Sequence, residues 1–260
     1  MGSQAIQGKL WGKNPGDWAK IQEPTGMAGY TYVLGFLKNV NRLRLLDVGC
    51  GSGIFSDMAN GKGAEVTGID ASDKLIEEAK LRNPNIPFLT GEMEELPFED
   101  ELFDIVCGFN SFQYAANTKN ALTEAKRVLK TGGKLVAMIW GNKEDCEAAT
   151  YLRAVGSLLP PPPPGAPGPF ALTENRLLES ILEDIGFKII NDDDVPSIWN
   201  YPDIETALKG LLAVGPAAKA IENRGFDEVY DTVSKAVQPY VQTDKHVIYK
   251  NKFRIVIAEK

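Results

Sequence analysis

Hydrophobic and polar positions in the first part of the chain alternate between two patterns. Short apolar runs rich in β-branched residues are separated by longer stretches in which apolar residues recur every three or four positions. The apolar runs predict strands at residues 43–48, 64–69, 86–89, 103–109 and 134–140. The stretches between them predict helices at residues 54–61, 73–81 and 118–129. Strands that alternate with helices form βαβ units, so the pattern predicts an α/β fold with a doubly wound, mostly parallel sheet.

The pattern changes after residue 140. A helix is predicted at residues 145–159, and residues 160–169 then hold seven of the 16 prolines in the chain. Proline lacks the N–H that a helix interior or a central strand needs, so we expect an extended surface loop there. A ligand for a proline-binding module is the alternative.

The last part of the chain contains two further strand signals. A helix at residues 174–185, ended by Gly186, precedes a predicted strand at 187–190, and the final strand is predicted at 253–258. Residues 195–244 lie between these strands and show helical patterns without strand signals. We therefore expect a helical insertion that covers the site at the sheet edge; a dimer surface or plain core is the alternative.

A glycine-rich turn carries the first sign of chemistry. Residues 45–53 read as a buried strand that turns through three glycines, Gly49, Gly51 and Gly53, into a helix. Glycine permits positive φ and close approach of a ligand to the backbone, and the helix N-terminus offers free N–H groups to an anion. The third glycine of the dinucleotide fingerprint would fall at Ile54, which argues against a dinucleotide. A tight structural turn remains the alternative.

Two carboxylates accompany this turn. Asp47 precedes it within the strand, where it could orient a ligand ammonium directly or through water. Asp70 ends the second strand, where a carboxylate can accept hydrogen bonds from both hydroxyls of a ribose. Asp70 therefore indicates a nucleoside without specifying which one.

Four linked motifs resemble the class I S-adenosylmethionine-dependent methyltransferases. They are DVGCGSG (47–53), GIDAS (68–72), GEMEELPF (91–98) and FDIVCGFNSFQY (103–114), and the similarity extends over residues 43–140. The resemblance implies S-adenosylmethionine as cofactor, S-adenosylhomocysteine as product, and a seven-stranded sheet of order 3-2-1-4-5-7-6 whose last strand is antiparallel.

The resemblance also implies roles for individual residues. The methionine part of the cofactor would lie at Gly49, Cys50, Gly51 and Gly53. Asp70 would bind the ribose, and Ala71, Glu92 and Met93 would adjoin the adenine, with Glu92 replacing the aspartate that is usual there. Phe109 and Asn110 would lie near the sulfonium and the substrate. Gln113 is a candidate catalytic position, although many small-molecule members have histidine there.

The ends of the chain resemble a bacterial group within this family. The pattern Trp11-Gly12, Asp17-Trp18-Ala19 and Gln22-Glu23-Pro24 near the start, together with the proline-rich segment, carries this similarity. It implies the fold and the cofactor for the whole length but no particular substrate. The resulting organisation is a helical segment at residues 1–40, a Rossmann-like domain at 41–194 and 245–260, and the insertion at 195–244.

A few isolated residues are further candidates. His246 is the only histidine and hence the only candidate for a histidine general base, with a solvated position as the alternative. Trp18, Trp140 and Trp199 are candidates for the substrate pocket, with the core as the alternative. Asp192, Asp193 and Asp194 are more typical of a solvated loop than of a metal site, and we expect no metal.

The composition of the chain limits the kinds of partner and compartment that we expect. The net charge is −7 and no cluster of lysine and arginine occurs, which argues against nucleic acid. No segment reaches the roughly 18 apolar residues of a membrane span. Three widely spaced cysteines argue against a disulfide framework and favour the cytoplasm. The oligomeric state is not indicated.

The sequence thus predicts transfer of the sulfonium methyl group to an O, N, S or C atom of a small molecule. Such a displacement depends mainly on alignment and exclusion of water, so no nucleophile or metal needs to be visible. The alternatives are a protein that binds the adenosyl cofactor without methylating, as a rearrangement catalyst or a sensor, and a nucleotide-linked oxidoreductase.

Overall fold

The fold is built on one seven-stranded sheet of order β3-β2-β1-β4-β5-β7-β6. The computed structural model describes residues 2–160 and 168–260. The strands are β1 Arg44–Val48, β2 Glu65–Asp70, β3 Phe88–Thr90, β4 Phe103–Phe109, β5 Leu129–Trp140, β6 Lys188–Tyr201 and β7 Val247–Glu259. Strands β1 to β5 pair in parallel, and β7 runs antiparallel to both β5 and β6. The strand order and orientation confirm the predicted fold.

Helices flank the sheet. They are α1 Gln4–Trp11, α2 Pro15–Asp17, α3 Met27–Leu37, α4 Ile54–Asn60, α5 Asp73–Arg82, α6 Thr118–Val128, α7 Ala149–Gly156, α8 Leu177–Asp184, α9 Ile204–Leu212, α10 Gly215–Arg224 and α11 Phe226–Val237. A π-helical turn, Trp18–Gln22, and a 3-10 turn, Glu23–Gly26, join α2 to α3. The side chain of Ser72 caps α5 by accepting from the N–H of Leu75.

The sheet is buried on both faces because adjacent strand residues point in opposite directions. Leu45 belongs to the core on one face, together with Val33 of α3. Leu46 belongs to the core on the other face, together with Leu122 of α6. All of these side chains are fully buried. Burial on both faces explains why the central strands read as continuous apolar runs in the sequence.

The last two strands are much longer than predicted. Residues 195–201, which the sequence assigned to the helical insertion, form the end of β6, where Trp199 pairs with Tyr249. Burial alternates along this stretch: Ser197, Trp199 and Tyr201 are buried, whereas the residues between them are exposed. This period of two indicates a strand, and the mixed polar composition hid it. The helical insertion therefore consists of α9, α10 and α11.

The three consecutive aspartates lie within β6 rather than in a solvated loop, which corrects the sequence interpretation. Asp192 pairs with Arg176, and Asp193 accepts from the hydroxyl of Tyr32. Asp194 accepts from Arg254 at 2.6 Å. In the described part of the chain, no group of three or more histidine, cysteine or acidic side chains could hold a metal ion.

Two predictions concern the less regular parts of the chain. Most of the proline-rich segment, residues 161–167, lies outside the described residues, so its conformation stays a prediction. The helix expected before it is shorter than predicted and comprises α7. Within residues 2–160 and 168–260, no helix combines the length and the apolar character needed to span a membrane.

Candidate functional site

The glycine turn between β1 and α4 is confirmed as a backbone of positive φ. Gly49, Gly51 and Gly53 have φ of +73°, +57° and +80°. A β-carbon at Gly49 would lie 2.3 Å from the β-carbon of Ser111, and one at Gly53 would lie 3.0 Å from the ring of Phe88. These two glycines are therefore required by packing within the protein itself.

Asp47 and Cys50 lie beneath the turn. Asp47 is 1% exposed and accepts from the hydroxyl of Ser56 at 2.7 Å. Burial raises the pKa of Asp47 to about 7. Burial likewise raises the pKa of the Cys50 thiol well above its ordinary value. Neither residue is among the described residues that line the two cavities at the carboxyl end of the strands, so Asp47 supports the turn from within, and its contact with a ligand stays a prediction.

A cavity, the loop cavity, lies above the turn at the carboxyl end of the strands. Its lining comprises Gln7, Trp11, Trp18, Gly49, Gly51, Asp70, Ala71, Leu75, Met93, Phe109, Asn110, Ser111 and Tyr114. It thus brings together most of the residues that the motifs single out. Ligands of open α/β sheets bind at this edge.

Asp70 is held in a fixed orientation on the wall of the loop cavity. One carboxylate oxygen accepts from the N–H of Gly51 at 3.0 Å, and the other accepts from the N–H of Ser72 at 2.8 Å. Burial raises the pKa of Asp70, and these backbone donors oppose that shift. The remaining lone pairs of the carboxylate can receive two further donors, as a ribose diol would provide.

Glu92 does not line the loop cavity, whereas its neighbour Met93 does. The carboxylate of Glu92 instead accepts from the N–H of Gln4 at 2.7 Å and from the hydroxyl of Ser3 at 3.3 Å. It thereby satisfies free donors at the start of α1. The structure thus uses Glu92 to attach the N-terminal segment, and the adenine contact expected of it is not reproduced.

The N-terminal segment covers the loop cavity like a roof, and of its residues the sequence predicted only Trp18 for a pocket. Gln7 and Trp11 of α1 and Trp18 of the π-helical turn all line this cavity. A β-carbon at Gly8 would lie 2.2 Å from the carbonyl oxygen of Ala71, so α1 packs directly on the residue that follows Asp70. The paired tryptophans were the available signal, but helical periodicity does not show what they cover.

Glu23 is a site residue to which the sequence assigned no role. Its carboxylate accepts from the N–H of Ser52 at 3.2 Å, from the Ser52 hydroxyl, and from the N–H of Ile54 at 3.4 Å. Arg82 donates to the same hydroxyl at 2.9 Å. Burial raises the pKa of Glu23 to about 7 despite these donors. A β-carbon at Gly51 would lie 3.1 Å from the Glu23 carboxylate and 3.2 Å from the indole nitrogen of Trp18.

A second cavity, the aromatic cavity, adjoins the loop cavity. Trp18, Trp140 and Trp199, the tryptophans predicted for a substrate pocket, all line it. The rest of its lining comprises Trp11, Gln22, Glu23, Thr25, Gly26, Tyr30, Phe109, Asn110, Gln113, Tyr114, Tyr151, Leu152, Val214, Pro216 and Phe253. The two cavities share Trp11, Trp18, Phe109, Asn110 and Tyr114.

Several buried polar atoms on these walls have no hydrogen-bond partner among the described residues. They are the indole nitrogens of Trp18 and Trp199, the side-chain oxygens of Asn110 and Gln113, and the hydroxyl of Ser111. A buried donor or acceptor left unpaired costs about 1–3 kcal/mol. Asn110 also adopts a φ of +50°, a strained conformation of the kind found at functional sites. These groups are therefore suited to a ligand.

His246 lies apart from both cavities. Its Nδ1 is 2.7 Å from the side-chain oxygen of Asn200, and His246 is absent from the lining of either cavity. It immediately precedes β7, whose start lies farther from the site than predicted because both last strands extend farther than predicted. The structure thus gives no support to His246 as a general base.

The helical insertion reaches the aromatic cavity at one point. Val214, which precedes α10, and Pro216, in the first turn of α10, line it, whereas Leu212 is buried but does not. A β-carbon at Gly215 would lie 2.6 Å from the indole nitrogen of Trp11, so the insertion packs on the N-terminal segment. The insertion and the N-terminal segment thus both contribute to the lining of the aromatic cavity, and a cover over the site stays a prediction.

Comparison with known proteins shows which proteins this chain is similar to. Residues 46–137 match the family model described as a methyltransferase domain. The malonyl-[acyl-carrier protein] O-methyltransferase of Erwinia pyrifoliae is 38% identical over 175 residues, which are 67% of this chain and 63% of that protein. The demethylmenaquinone methyltransferase of Renibacterium salmoninarum is 39% identical over 93 residues, which are 36% of this chain and 39% of that protein. The chain thus spans less than two thirds of these relatives.

A solved structure supports the fold. The S-adenosylmethionine-dependent methyltransferase of Aquifex aeolicus superposes with a TM-score of 0.53 at 22% identity, covering 70% of this chain and 92% of that protein. Its likeness concerns the arrangement of the sheet and helices. Residues 46–137 thus form a domain of the methyltransferase family, and the strand order 3-2-1-4-5-7-6 around it is the one that the resemblance to class I S-adenosylmethionine-dependent methyltransferases implies.

Proposed function

We propose that this protein transfers the methyl group of S-adenosylmethionine to a small-molecule acceptor. The observation that carries the proposal is the junction of the two cavities. The loop cavity presents Asp70 and the glycine turn, the aromatic cavity extends away from it, and Phe109 and Asn110 line both. A cofactor in the first and an acceptor in the second would meet at these shared residues.

The residues of the loop cavity fit this cofactor. Asp70 would accept from the ribose hydroxyls, and the unpartnered indole N–H of Trp18 beside Gly51 suits the methionine carboxylate. Glu23, which lines the adjoining aromatic cavity and lies near the same side of Gly51 as Trp18, would receive the methionine ammonium. When bound, the cofactor supplies a methyl group on a positively charged sulfur.

The work of the protein is alignment and exclusion of water. In the described part of the chain, neither cavity is lined by histidine, lysine or arginine. Burial holds the pKa of Tyr30, which lines the aromatic cavity, well above its ordinary value, so this phenol stays protonated at neutral pH. The chain therefore contributes by fixing the two reactants in a dry, aromatic enclosure, where proximity alone lowers a barrier substantially.

The acceptor is proposed to be a small molecule and not a nucleic acid. A polyanion would need basic side chains at the site, and the described lining of the aromatic cavity contains none. The relatives that bear substrate names act on malonyl-[acyl-carrier protein] and demethylmenaquinone. We place the protein in the cytoplasm, which the three buried cysteine thiols favour.

The proposal is tested by labelled methyl transfer. The protein is incubated with methyl-tritiated S-adenosylmethionine and the protein-free, low-mass fraction of a bacterial lysate, and both labelled products and S-adenosylhomocysteine are measured. The proposal expects label in organic products in a one-to-one ratio with S-adenosylhomocysteine, and loss of both with Asp70→Ala. Binding of the cofactor without labelled product would favour the non-methylating alternative.

A further inference from the structure

The residues that line the aromatic cavity restrict the kind of acceptor molecule more than the similarity to methyltransferases does. We infer that it takes a flat, uncharged, conjugated acceptor with an O–H or N–H group at the end next to the loop cavity and a carbonyl oxygen at the far end. This inference rests on the proposed function, because it treats the loop cavity as the place of the cofactor. Three independent features carry it: the walls, the charges and the free polar atoms.

The walls are aromatic and closely packed. The ring of Trp140 lies 5.5 Å from that of Trp199 and 5.3 Å from that of Phe253, measured between centroids. On the loop-cavity side, the ring of Phe109 lies 4.9 Å from that of Tyr30. Aromatic side chains stack on flat conjugated rings and gain both apolar burial and favourable ring geometry. A flat ring system therefore fits these walls better than a flexible polar chain.

The charged groups around the aromatic cavity favour an uncharged acceptor molecule. Glu23 is the only charged side chain in the described lining, and its carboxylate already accepts from Ser52 and Ile54. An anionic acceptor would lose its hydration there without gaining a counter-charge, which is costly in an apolar enclosure. A cationic acceptor would lie beside the positive sulfur of the cofactor and be repelled by it. A neutral acceptor avoids both costs.

The free polar atoms define the two ends. Two other polar groups of the lining are already paired: Gln22 accepts from the Tyr201 hydroxyl at 2.9 Å, and the Tyr151 hydroxyl donates to the carbonyl of Leu211 at 2.6 Å. The unpartnered oxygens of Asn110 and Gln113 lie next to the loop cavity and can accept from a ligand O–H or N–H. At the other end, Trp199 lines the cavity, and its buried indole N–H has no partner among the described residues. This group can only donate, so we infer that it pairs with an acceptor atom of the ligand such as a carbonyl oxygen.

The fold sets the distance between these ends. Asn110 follows β4 and Trp199 belongs to β6, and in the order β4-β5-β7-β6 three strand spacings separate them. Three spacings amount to about 14 Å between the backbones, from which both side chains reach inward. The remaining length suits a molecule of about two fused rings with polar groups at opposite ends.

Binding of simple probes tests this inference. 7-Hydroxycoumarin has a hydroxyl at one end and a carbonyl at the other, and 2-naphthol keeps the hydroxyl and the fused rings but lacks the carbonyl. 2-Naphthoate and tryptamine supply an anion and a cation of similar size. Affinities are measured by fluorescence titration at saturating S-adenosylhomocysteine for the wild type, Trp199→Phe and Tyr249→Phe. Tyr249 is the matched control, because its buried hydroxyl is also unpartnered in the described chain but lies outside the cavity lining.

We expect 7-hydroxycoumarin to bind best, about tenfold more tightly than 2-naphthol, because it satisfies the buried donor. Trp199→Phe should remove that difference, and Tyr249→Phe should preserve it. Equal or tighter binding of the anion or the cation would overturn the inference, as would a carbonyl preference that survives Trp199→Phe. Failure of both neutral probes to bind while S-adenosylhomocysteine binds would also overturn it and leave the proposed function standing. Failure of S-adenosylhomocysteine itself would instead refute the proposed function.

A misfolded Trp199→Phe variant is recognised by loss of thermal stabilisation by S-adenosylhomocysteine. In that case Gln113→Leu removes the acceptor at the other end of the cavity. It should weaken 7-hydroxycoumarin and 2-naphthol equally, by about tenfold, because both carry the hydroxyl. Unchanged binding of both probes to this variant would contradict the inference.

Discussion

The carboxylate of Glu23 accepts a hydrogen bond from the backbone N–H of Ser52 at 3.2 Å and so joins the N-terminal segment to the glycine turn. The Ser52 hydroxyl in turn accepts a hydrogen bond from the guanidinium of Arg82, which also donates to the carbonyl of Ala19 at 3.2 Å. Turn, α5 and N-terminal segment are therefore coupled through one buried carboxylate. The Glu23 carboxylate therefore holds the N-terminal segment, which covers the proposed cofactor site, to the glycine turn beneath it.

Glu23 makes the stability of the protein depend on pH. Its pKa is about 7 in the folded state and 4.5 in its ordinary environment, so the folded state binds more protons than the unfolded state between these values. Stability should therefore fall as pH rises from about 5 to 7. Buried Asp47, with a pKa of about 7, acts in the same direction. Carboxylates whose pKa is lowered, such as Asp104 and Glu124, act only below this window.

Urea denaturation at several pH values checks this dependence. Glu23→Gln should make the fall in unfolding free energy from pH 5 to 7 shallower, because the variant cannot titrate there. Asp47→Asn should have a similar effect. Stability that rises with pH through this window, or an unchanged slope in Glu23→Gln, would show that Glu23 is ionised throughout.

Asp70 should be the largest single contributor to binding of the nucleoside. Asp70→Ala removes charge-assisted hydrogen bonds to the ribose and should weaken S-adenosylhomocysteine by about 1–3 kcal/mol, roughly 5- to 150-fold. Asp73→Ala is the control, because Asp73 is exposed in the first turn of α5 and does not line the loop cavity. Calorimetry on both variants makes the comparison. An affinity within twofold of the wild type for Asp70→Ala would remove Asp70 from the site.

Gly51 should tolerate no side chain. Gly51→Val places a β-branched residue at a φ of +57°, against Glu23 and Trp18, and should abolish the rise in melting temperature that S-adenosylhomocysteine causes. Gly156→Ala is the matched control, since its β-carbon would meet no described atom within 4 Å. That variant should melt at the wild-type temperature or slightly above it. Full ligand stabilisation of Gly51→Val would place the ligand elsewhere.

Glu92 should hold α1 in place and affect the cofactor through it. Glu92→Ala removes the acceptor for the N–H of Gln4 and should speed amide exchange across α1 by about tenfold, with little change at β1. Glu99→Ala, at an exposed position of the same loop, should leave the exchange of α1 unchanged. Hydrogen exchange read by mass spectrometry provides the comparison. Unaltered protection of α1 in Glu92→Ala would mean that other contacts hold this helix.

The Rossmann-like core could be predicted from the sequence because its signals are local. The continuous apolar runs of β1 and β4, and the capped helix α5 that follows Ser72, each fix an element within a few residues. The length of β6 could not be predicted, since Asp192 to Asp194 and Pro196 break its apolar pattern. They are tolerated there because β6 is an edge strand and its aspartates have partners.

The sequence predicted the part of the candidate site formed by the glycine turn and Asp70, but not the part formed by the N-terminal segment. Gly51 and Asp70 lie where the motif spacing placed them, because a βαβ unit fixes both at one sheet edge. Glu23 and Trp11 contact residues far along the chain, such as Ser52 and Gly215, and no local pattern encodes such contacts. Glu92 shows the opposite case. Its local motif predicted a role at the site, but could not show that the carboxylate would accept a hydrogen bond from the start of α1 instead.

The central claim is that the loop cavity binds the adenosyl cofactor of a methyltransferase, and calorimetric titration of the intact protein with S-adenosylhomocysteine, with NAD as comparison, tests it most directly. The account predicts saturable binding of S-adenosylhomocysteine at one site per chain, weakened in Asp70→Ala, and no saturable binding of NAD. Saturable binding of NAD, or no binding of S-adenosylhomocysteine by the folded protein, would contradict it.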